Sequence, residues 1–376
     1  TNITITNQDA EIFKQFNLIE ITGIKNTESP DWLKQRLKSI GMTPKSAIVD
    51  ITNYFCLAFG QPMHCYDKDK ISGGLKLEIL QSNESFKALD DKEYKLEKGD
   101  IVIKDQDKII ALAGIIGSEN SGSAIETTNV LLEAAEFDHI AVTKTGRKHQ
   151  IITDSRFRFE RGIDSNNVTQ LLELAAGMII NICGGKKSQI ISTKANLSQP
   201  KAINLTKAKI TNYLGISISE ADIDKILKRL NFIIIENNST RIVTTPPSYR
   251  KDITLDVDVI EEIVRIYGIN KIPEKKFEPY ILNKSLISKP SFYNVRKRLA
   301  ACGLNEVTNF PFTEYADNNH FDNTCNAIVI LNPINANQNQ LRMSLIGSLL
   351  KNINYAQKHD LDMQSFFEFG NICLKS

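Results

Sequence analysis

The sequence predicts an α+β protein with several domains, and three observations support this prediction. Between residue 46 and about residue 190, short strand-like runs alternate with turns, as in a mixed domain with many strands. Two short helical patterns around a glycine turn follow, ahead of a predicted hairpin. The length of 376 residues is enough for two or three domains with their own cores.

The composition is that of a globular protein and argues against several classes of protein. Hydrophobic residues make up 41% of the chain and charged residues 24%. A net charge of +2 gives no strong field toward DNA or a membrane, although a local patch can still bind RNA. No apolar run has transmembrane length, and no signal peptide opens the chain. We therefore expect a cytoplasmic protein with no membrane partner and no DNA partner.

The six cysteines are scattered without a CxxC pair, which predicts reduced thiols rather than a zinc site or a disulfide framework. The chain begins with Thr1 and stops just after the strand-like run SFFEFGNICL. We therefore expect it to be a fragment, with residues 1–10 as the remnant of a linker.

The first domain is predicted to begin with a helix and to continue mainly as strands. A helix is predicted to start with Ser29 as its N-cap, Pro30 at the first helical position and Asp31 in the first turn, and Gly41 ends it. Its buried side would consist of Leu33, Leu37 and Ile40. The predicted strands are SAIVDI, LKLEIL, DIVIKD, KIIALAG and NVLLEAAEF, and NNVTQLLELAAGMIINICGG is a predicted helix. Gly184-Gly185 and the polar stretch to residue 201 mark a boundary.

The second domain is predicted to be small. Thr206 caps a helix that ends at Gly215, and Ser219 caps a second helix. The segment NFIIIENNSTRIVTTPP is a hairpin, and a helix rich in carboxylates follows. The two short helices resemble a helix-turn-helix, but the second carries three acidic residues beside its three basic ones, which disfavours DNA reading. A third unit begins near Pro273, with a helix over 291–302, the strand-like run EVTNFPF and LRMSLIGSLLKNINYAQ as a helix.

Four carboxylates lie within eleven residues, namely Asp252, Asp258, Glu261 and Glu262. Helical spacing puts the last three on one face, where like charges repel unless a cation lies among them. Oxygen ligands without His or Cys suit Mg²⁺ or Ca²⁺. The alternative is a solvated acidic face that Arg265 partly neutralises. The opposite, apolar face is predicted to consist of Val257, Ile260, Val264 and Tyr267.

Three long stretches, in this order, resemble one family closely: the β subunit of bacterial phenylalanyl-tRNA synthetase. They are AIVDITNYFCLAFGQPMHCYD (47–67), the segment from ALAGIIGSENSG to TDSRFRFERGID (111–164), and TPPSYRKDITLDVDVIEEIVRIYGINKIP (245–273). The similarity covers essentially the whole chain from about residue 11. The order and spacing of the three stretches make it specific.

The resemblance implies a domain order and a set of partners. Residues 11–190 would form the B3/B4 editing module, residues 201–276 a winged-helix-like B5 domain, and residues 277–376 the start of a catalytically silent class II synthetase-like domain with an antiparallel sheet. The implied partners are the α subunit, in an (αβ)2 heterotetramer, and tRNA(Phe). ATP would be used by the α subunit. The implied function is to support attachment of Phe to tRNA(Phe) and to hydrolyse Tyr-tRNA(Phe).

The same resemblance implies four editing residues. A pocket for phenylalanine rejects an added hydroxyl only by roughly 10², so a second site that binds the phenol through a buried polar group is needed. Glu133 in NVLLEAAEF matches the family's phenol-recognising glutamate, and His64 matches a histidine of the same site. Thr153 and Ser155 match two positions that line the pocket. No covalent nucleophile is implied, because positioned water and the tRNA's own hydroxyls suffice for an activated ester.

Two departures from the family pattern keep an alternative open. Many members have Ala where this chain has Ser155, and some have Arg where it has Thr43. A non-catalytic scaffold that holds the α subunit and tRNA, with weakened editing, is therefore the second interpretation. The four carboxylates match the family's acidic positions for a structural Mg²⁺ ion near the α–β contact.

Two further groups of residues flank the proposed pocket. Gly114, Gly117 and Gly122 lack a following Lys-Ser/Thr, so they predict tight turns and not a phosphate-binding loop. A basic cluster precedes Thr153 and is either a solvated loop or a contact with the tRNA end. Its members are Lys144, Arg147, Lys148 and His149.

Overall fold

The structure is a computed structural model that describes residues 3–193, 200–274, 291–321, 327–362 and 365–375. It contains two compact units, Thr1–Glu274 and Lys275–Ser376. Within the first unit, residues 3–193 form the first domain and residues 200–274 the second domain, each with its own hydrophobic core. No helix in the described ranges is both long and apolar enough to cross a membrane.

The first domain is built mainly on two sheets. Its strands are β1 (Ile5–Asn7), β2 (Gln15–Thr22), β3 (Met63–Asp67), β4 (Leu75–Ile79), β5 (Glu84–Lys87), β6 (Glu93–Leu96), β7 (Ile101–Lys104), β8 (Ile109–Leu112), β9 (Ile116–Gly117), β10 (Asn129–Glu136), β11 (Lys186–Lys187) and β12 (Ile191–Ser192). One sheet has the order β1-β4-β7-β8-β9, and the other has the order β11-β2-β10-β3 with β12 also on β2. Strands β5 and β6 form a separate hairpin. Strand β10 runs antiparallel to both neighbours and places Glu133 opposite Leu18 and His64.

Five helices complete this domain. They are α1 (Asp31–Ser39), α2 (Ala47–Phe59), α3 (His139–Lys148), α4 (Asp154–Phe159) and α5 (Val168–Cys183). Helices α2 and α5 pack against each other and against the sheet that contains β10. Apolar side chains at helical spacing on α5, including Leu172, Ala176 and Ile179, are fully buried there. The sheet that carries Glu133 therefore has a rigid helical support.

Three expectations for this domain were wrong. The run SAIVDI begins α2 rather than a strand, because Ala47, Ile48 and Ile51 belong to a helical stripe that a six-residue window does not reveal. Ser29 does not cap α1, since its hydroxyl donates to the Asp50 carboxylate at 2.5 Å. Ile40 is 57% exposed, because α1 has ended one residue before it.

The second domain has three strands and three helices. They are β13 (Ile203–Thr206), α6 (Lys207–Leu214), α7 (Glu220–Arg229), β14 (Ile233–Asn237), β15 (Arg241–Thr245) and α8 (Asp256–Tyr267). The caps are as predicted: the Thr206 hydroxyl accepts from the Lys209 N–H at 3.3 Å, and that of Ser219 accepts from the Asp222 N–H at 3.1 Å. Gly215 ends α6 with φ of +70°. Two helices followed by a hairpin give the predicted winged-helix-like arrangement.

Helix α8 buries a different face from the one predicted. Its buried residues are Val259, Ile260, Glu262 and Ile263. Of the four predicted apolar residues, only Ile260 is fully in the core, and Val257 and Val264 are only partly buried. The carboxylate of Glu262 therefore lies at the edge of the core and not on a solvated face.

The second unit contains short elements. They are α9 (Ser291–Ala301), β16 (Asn305–Glu306), β17 (Phe312–Thr313), α10 (Tyr315–Phe321), β18 (Gln340–Leu341), α11 (Ile346–Lys358) and β19 (Phe366–Phe367). Strand β16 pairs with β19 in parallel, and β17 pairs with β18 in antiparallel, so the pairing is only partly antiparallel. The Arg342 guanidinium lies 2.7 Å from the Glu368 carboxylate, and both groups are buried. This ion pair joins the segment after β18 to the one after β19.

Candidate functional site

Glu133 is a buried carboxylate in the middle of strand β10. Its side chain is 6% exposed, and it accepts a hydrogen bond from the phenol hydroxyl of Tyr66 on β3. Burial raises the pKa of Glu133 to about 7, and the hydrogen bond from Tyr66 opposes that rise. The carboxyl is thus partly ionised at neutral pH and is held by a phenol.

Tyr66 is the residue of this site that the sequence analysis missed. It is fully buried, and its ring meets the His64 ring edge-on with the ring centroids 4.4 Å apart. Burial, together with the nearby Glu133 charge, holds the pKa of Tyr66 well above its usual value, so the hydroxyl keeps its proton and donates. Residues 64 and 66 lie on one face of β3, opposite Glu133 and Leu131. Strand alternation around His64 would have pointed to Tyr66.

His64 brings a neutral imidazole next to Glu133. Its Nε2 is buried and has no hydrogen-bond partner among the described residues, although part of the side chain remains exposed. Burial lowers the pKa of His64 to about 4, so the ring is uncharged at neutral pH. A Cβ on Gly117 would lie 2.5 Å from the ring, so a glycine is needed for this approach. Nε2 is therefore unpaired but covered, and the ring must move before that nitrogen can bind a water or a ligand.

Thr153 and Ser155 are hydrogen-bonded to the backbone just before Gly117. The Thr153 hydroxyl donates to the carbonyl of Ile115 at 2.8 Å and also caps α4. The Ser155 hydroxyl donates to the carbonyl of Gly114 at 3.2 Å. Within the described ranges no hydrogen bond joins either residue to Glu133 or His64. Their place in the lining of a pocket stays a prediction.

The basic cluster lies at the end of helix α3 and not in a loop. The Lys148 ammonium lies 2.9 Å from the Asp100 carboxylate, and His149 Nε2 lies 2.6 Å from the other oxygen of the same group. Asp100 is 1% exposed, so the Lys148 ammonium neutralises an internal charge and His149 is hydrogen-bonded to the same carboxylate. Lys144 and Arg147 are exposed. Their contact with RNA stays a prediction.

Two of the four clustered carboxylates share an arginine that the sequence analysis did not single out. The Arg250 guanidinium lies 2.7 Å from the Asp252 carboxylate and 2.7 Å from the Glu262 carboxylate. Glu262 also pairs with Arg265, the neutralising residue that the sequence suggested. The hydrogen bonds from Arg250 lower the pKa of both carboxyls, so both are ionised at neutral pH.

The other two carboxylates do not converge on the same point. Asp258 accepts the backbone N–H groups of Thr254 and Leu255, at 2.8 and 2.7 Å, and so caps helix α8. Glu261 is exposed. In the part of the chain that the structure describes, no group of three or more His, Cys, Asp or Glu side chains is arranged to hold a metal.

The acidic cluster in this arrangement does not fit a magnesium ion. Mg²⁺ requires close to octahedral oxygen coordination, and a guanidinium already occupies the space between Asp252 and Glu262. An ion bound by these two carboxylates would have to displace Arg250. The expected Mg²⁺ site stays a prediction, and no chemical step is assigned to it.

Three family models match the chain in sequence order. They are the B3/4 domain over residues 13–184, the tRNA synthetase B5 domain over residues 203–269 and the phenylalanyl tRNA synthetase beta chain CLM domain over residues 290–376. A solved N-terminal fragment of the phenylalanyl-tRNA synthetase β-subunit from Pyrococcus horikoshii has a TM-score of 0.36 and 17% identity, covering 71% of this chain and 75% of that one. That likeness supports no further conclusion.

Several curated relatives are named phenylalanine–tRNA ligase beta subunit. The one from Cereibacter sphaeroides is 37% identical over 338 residues, which is 88% of this chain and 41% of the relative. The one from Bacteroides fragilis is 36% identical over 382 residues, covering 98% of this chain and 46% of the relative. The chain spans less than half the length of these relatives. With the three domain matches in the same order, it belongs to the family of phenylalanine–tRNA ligase β subunits.

Proposed function

We propose that the first domain of this chain hydrolyses Tyr-tRNA(Phe), which removes tyrosine wrongly attached to the tRNA. The observation that carries the proposal is the buried carboxylate of Glu133, which accepts a phenol hydroxyl within its own chain. A carboxylate that binds one phenol in this apolar setting is chemically suited to bind another. The match to the B3/4 domain supports the same conclusion.

Selection of tyrosine follows from the cost of leaving Glu133 without a partner. A bound tyrosine would donate its hydroxyl to the carboxylate. A bound phenylalanine would offer only carbon, and an unmade hydrogen bond to a buried polar group costs about 1–3 kcal/mol. The site would therefore favour tyrosyl over phenylalanyl ester, which inverts the preference of a phenylalanine pocket.

Hydrolysis needs only a positioned water in this proposal. His64 is neutral, and its unpaired Nε2 would orient the attacking water once the ring moves away from Gly117. The water oxygen would attack the ester carbonyl, the bond from that carbon to the ribose oxygen would break, and the ribose oxygen would take up the proton released by the water. Thr153 and Ser155 would shape the site through the backbone of residues 114–115.

The wider assignment belongs to the same proposal. The chain would act with an α subunit in an (αβ)2 assembly that attaches Phe to tRNA(Phe) in the cytoplasm, with ATP used by the α subunit. The names of the relatives support this view. The scaffold alternative has less support, because the Ser155 hydroxyl that motivated it is bonded to a backbone carbonyl and need not face a bound ring.

The test is Glu133→Ala in the complete enzyme that contains this chain. We expect Phe-tRNA(Phe) synthesis to continue and Tyr-tRNA(Phe) to accumulate, because the phenol loses its acceptor. Deacylation of Tyr-tRNA(Phe) is the measurement. Glu93→Ala, at an exposed glutamate of strand β6, is the matched control and should behave as wild type. Undiminished deacylation by Glu133→Ala would sink the proposal.

A further inference from the structure

We propose that Tyr66 determines how strictly the Glu133 site separates tyrosine from phenylalanine, because it gives the carboxyl a hydrogen bond that is present whichever residue is bound. This inference rests on the proposed function and adds a specificity-determining residue to it. The residue is distinct from the four that the sequence suggested.

The Tyr66 hydroxyl is fixed in place by the sheet. Tyr66 is fully buried, pairs with Leu131 across the β3–β10 ladder and is bridged on its other side to Gly122. The His64 ring packs against its edge. A side chain enclosed in this way cannot rotate into water, so its hydroxyl remains with Glu133 whether the site is empty or occupied.

One phenol does not saturate a carboxylate. The group has two oxygens and about four lone-pair positions, and Tyr66 uses Oε2. Oε1 remains able to accept a second phenol, that of a bound tyrosine. When phenylalanine is bound, Glu133 still has the hydrogen bond from Tyr66. The carboxyl then keeps one of its hydrogen bonds. The free-energy penalty for binding phenylalanine is therefore smaller than it would be at a carboxyl with no hydrogen-bond partner.

Tyr66 therefore stabilises the empty site and weakens the discrimination. Tyr66→Phe removes the hydroxyl without changing the packing of the ring. We expect the ratio of kcat/KM for Tyr-tRNA(Phe) deacylation to that for Phe-tRNA(Phe) deacylation to rise about tenfold in the complete enzyme. The matched control is Tyr94→Phe, whose hydroxyl donates to the Asp90 carboxylate at 2.7 Å on the exposed β5–β6 hairpin. The control should leave the ratio unchanged.

A double variant separates an effect through Glu133 from a general effect on structure. In a Glu133→Ala background, which has no acceptor at position 133, adding Tyr66→Phe should leave the ratio where Glu133→Ala alone put it. A further change there would overturn the inference. Because this background has no buried carboxyl to leave unpaired, the comparison also covers the case in which Tyr66→Phe alone fails to fold for want of a partner for Glu133. An unchanged or lower ratio in a folded Tyr66→Phe enzyme that still hydrolyses Tyr-tRNA(Phe) would also overturn it. If the wild-type enzyme does not hydrolyse Tyr-tRNA(Phe), both this inference and the proposed function are wrong.

Discussion

Glu133 and His64 are neighbouring ionisable residues, and burial shifts their pKa values in opposite directions. Burial raises the pKa of Glu133 from 4.5 to about 7 and lowers the pKa of His64 from 6.5 to about 4. The folded state thus disfavours the carboxylate on one strand and the imidazolium on the next. At neutral pH Glu133 is therefore only partly ionised and His64 is uncharged, which suits recognition of an uncharged phenol.

These shifts predict a pH dependence of stability. Below pH 4.5 Glu133 is protonated in both the folded and the unfolded state and does not lower the free energy of unfolding. As the pH rises to about 7, its burial lowers that free energy increasingly. Above pH 6.5 His64 is neutral in both states and does not lower the free energy of unfolding. As the pH falls to about 4, its burial lowers that free energy increasingly. The two effects nearly cancel over the same window. We therefore expect the Glu133→Gln variant to gain stability relative to wild type on going from pH 4 to pH 8, by on the order of 2 kcal/mol.

Urea unfolding at several pH values measures this difference. The control is Glu93→Gln, an exposed glutamate that should show no pH-dependent difference from wild type. A stability difference between Glu133→Gln and wild type that stays constant from pH 4 to pH 8 would show that Glu133 ionises normally in the folded protein.

At the scale of single elements, helix α8 shows how an acidic segment can be neutralised internally. Its buried Glu262 lies between Arg250, from the preceding loop, and Arg265, one turn further along the helix. Asp258 satisfies two backbone donors before the first turn. The helix therefore has charge partners within its own domain, and the repulsion that predicted a metal is already relieved.

Arg250→Gln tests this account. We expect the second domain to lose about 1–3 kcal/mol, because buried Glu262 keeps only Arg265 as a partner. Millimolar Mg²⁺ should leave the melting temperature of wild type unchanged and raise that of Arg250→Gln, in which no guanidinium lies between the Asp252 and Glu262 carboxylates. Arg241→Gln, which breaks an exposed pair with Glu236, is the control. A Mg²⁺-dependent rise in wild type would instead support the magnesium site.

At the scale of the first unit, one lysine joins the two domains. The Lys251 ammonium, from the loop before α8, lies 2.7 Å from the Glu136 carboxylate at the end of β10 and 3.3 Å from the Ser165 hydroxyl. Glu136 is 6% exposed. The strand that carries Glu133 is thus anchored at its end by the second domain, next to the arginine that neutralises Glu262.

Lys251→Met should weaken this link. It leaves the Glu136 carboxylate buried without its cation, so we expect a loss of about 1–3 kcal/mol and faster amide hydrogen exchange at the end of β10. Lys228→Met removes a lysine from an exposed pair with Asp224 on α7 and should change stability by less than about 0.5 kcal/mol. Equal effects of the two variants on stability and exchange would mean that the contact with Glu136 does not couple the domains.

The sequence by itself determined features that depend on a few neighbouring residues. The caps at Thr206 and Ser219 join a hydroxyl to an N–H three residues away, and the end of α6 needs only Gly215. The hairpin of β14 and β15 and the long helix α5 follow from local turns and periodicity. The position of Glu133 on an apolar strand was predictable for the same reason.

Only the tertiary structure decided which polar groups meet. Tyr66 and Glu133 are 67 positions apart, and they touch because β3 and β10 pair in one particular register. Arg250 reaches Glu262 because the loop before α8 folds back over the helix, and the buried face of α8 depends on where the sheet and α7 lie. Periodicity shows that a helix has an apolar side, but the neighbouring elements decide which of its flanking residues are covered. The partner of a charge, and so its pKa, is likewise set by contacts that no local pattern contains.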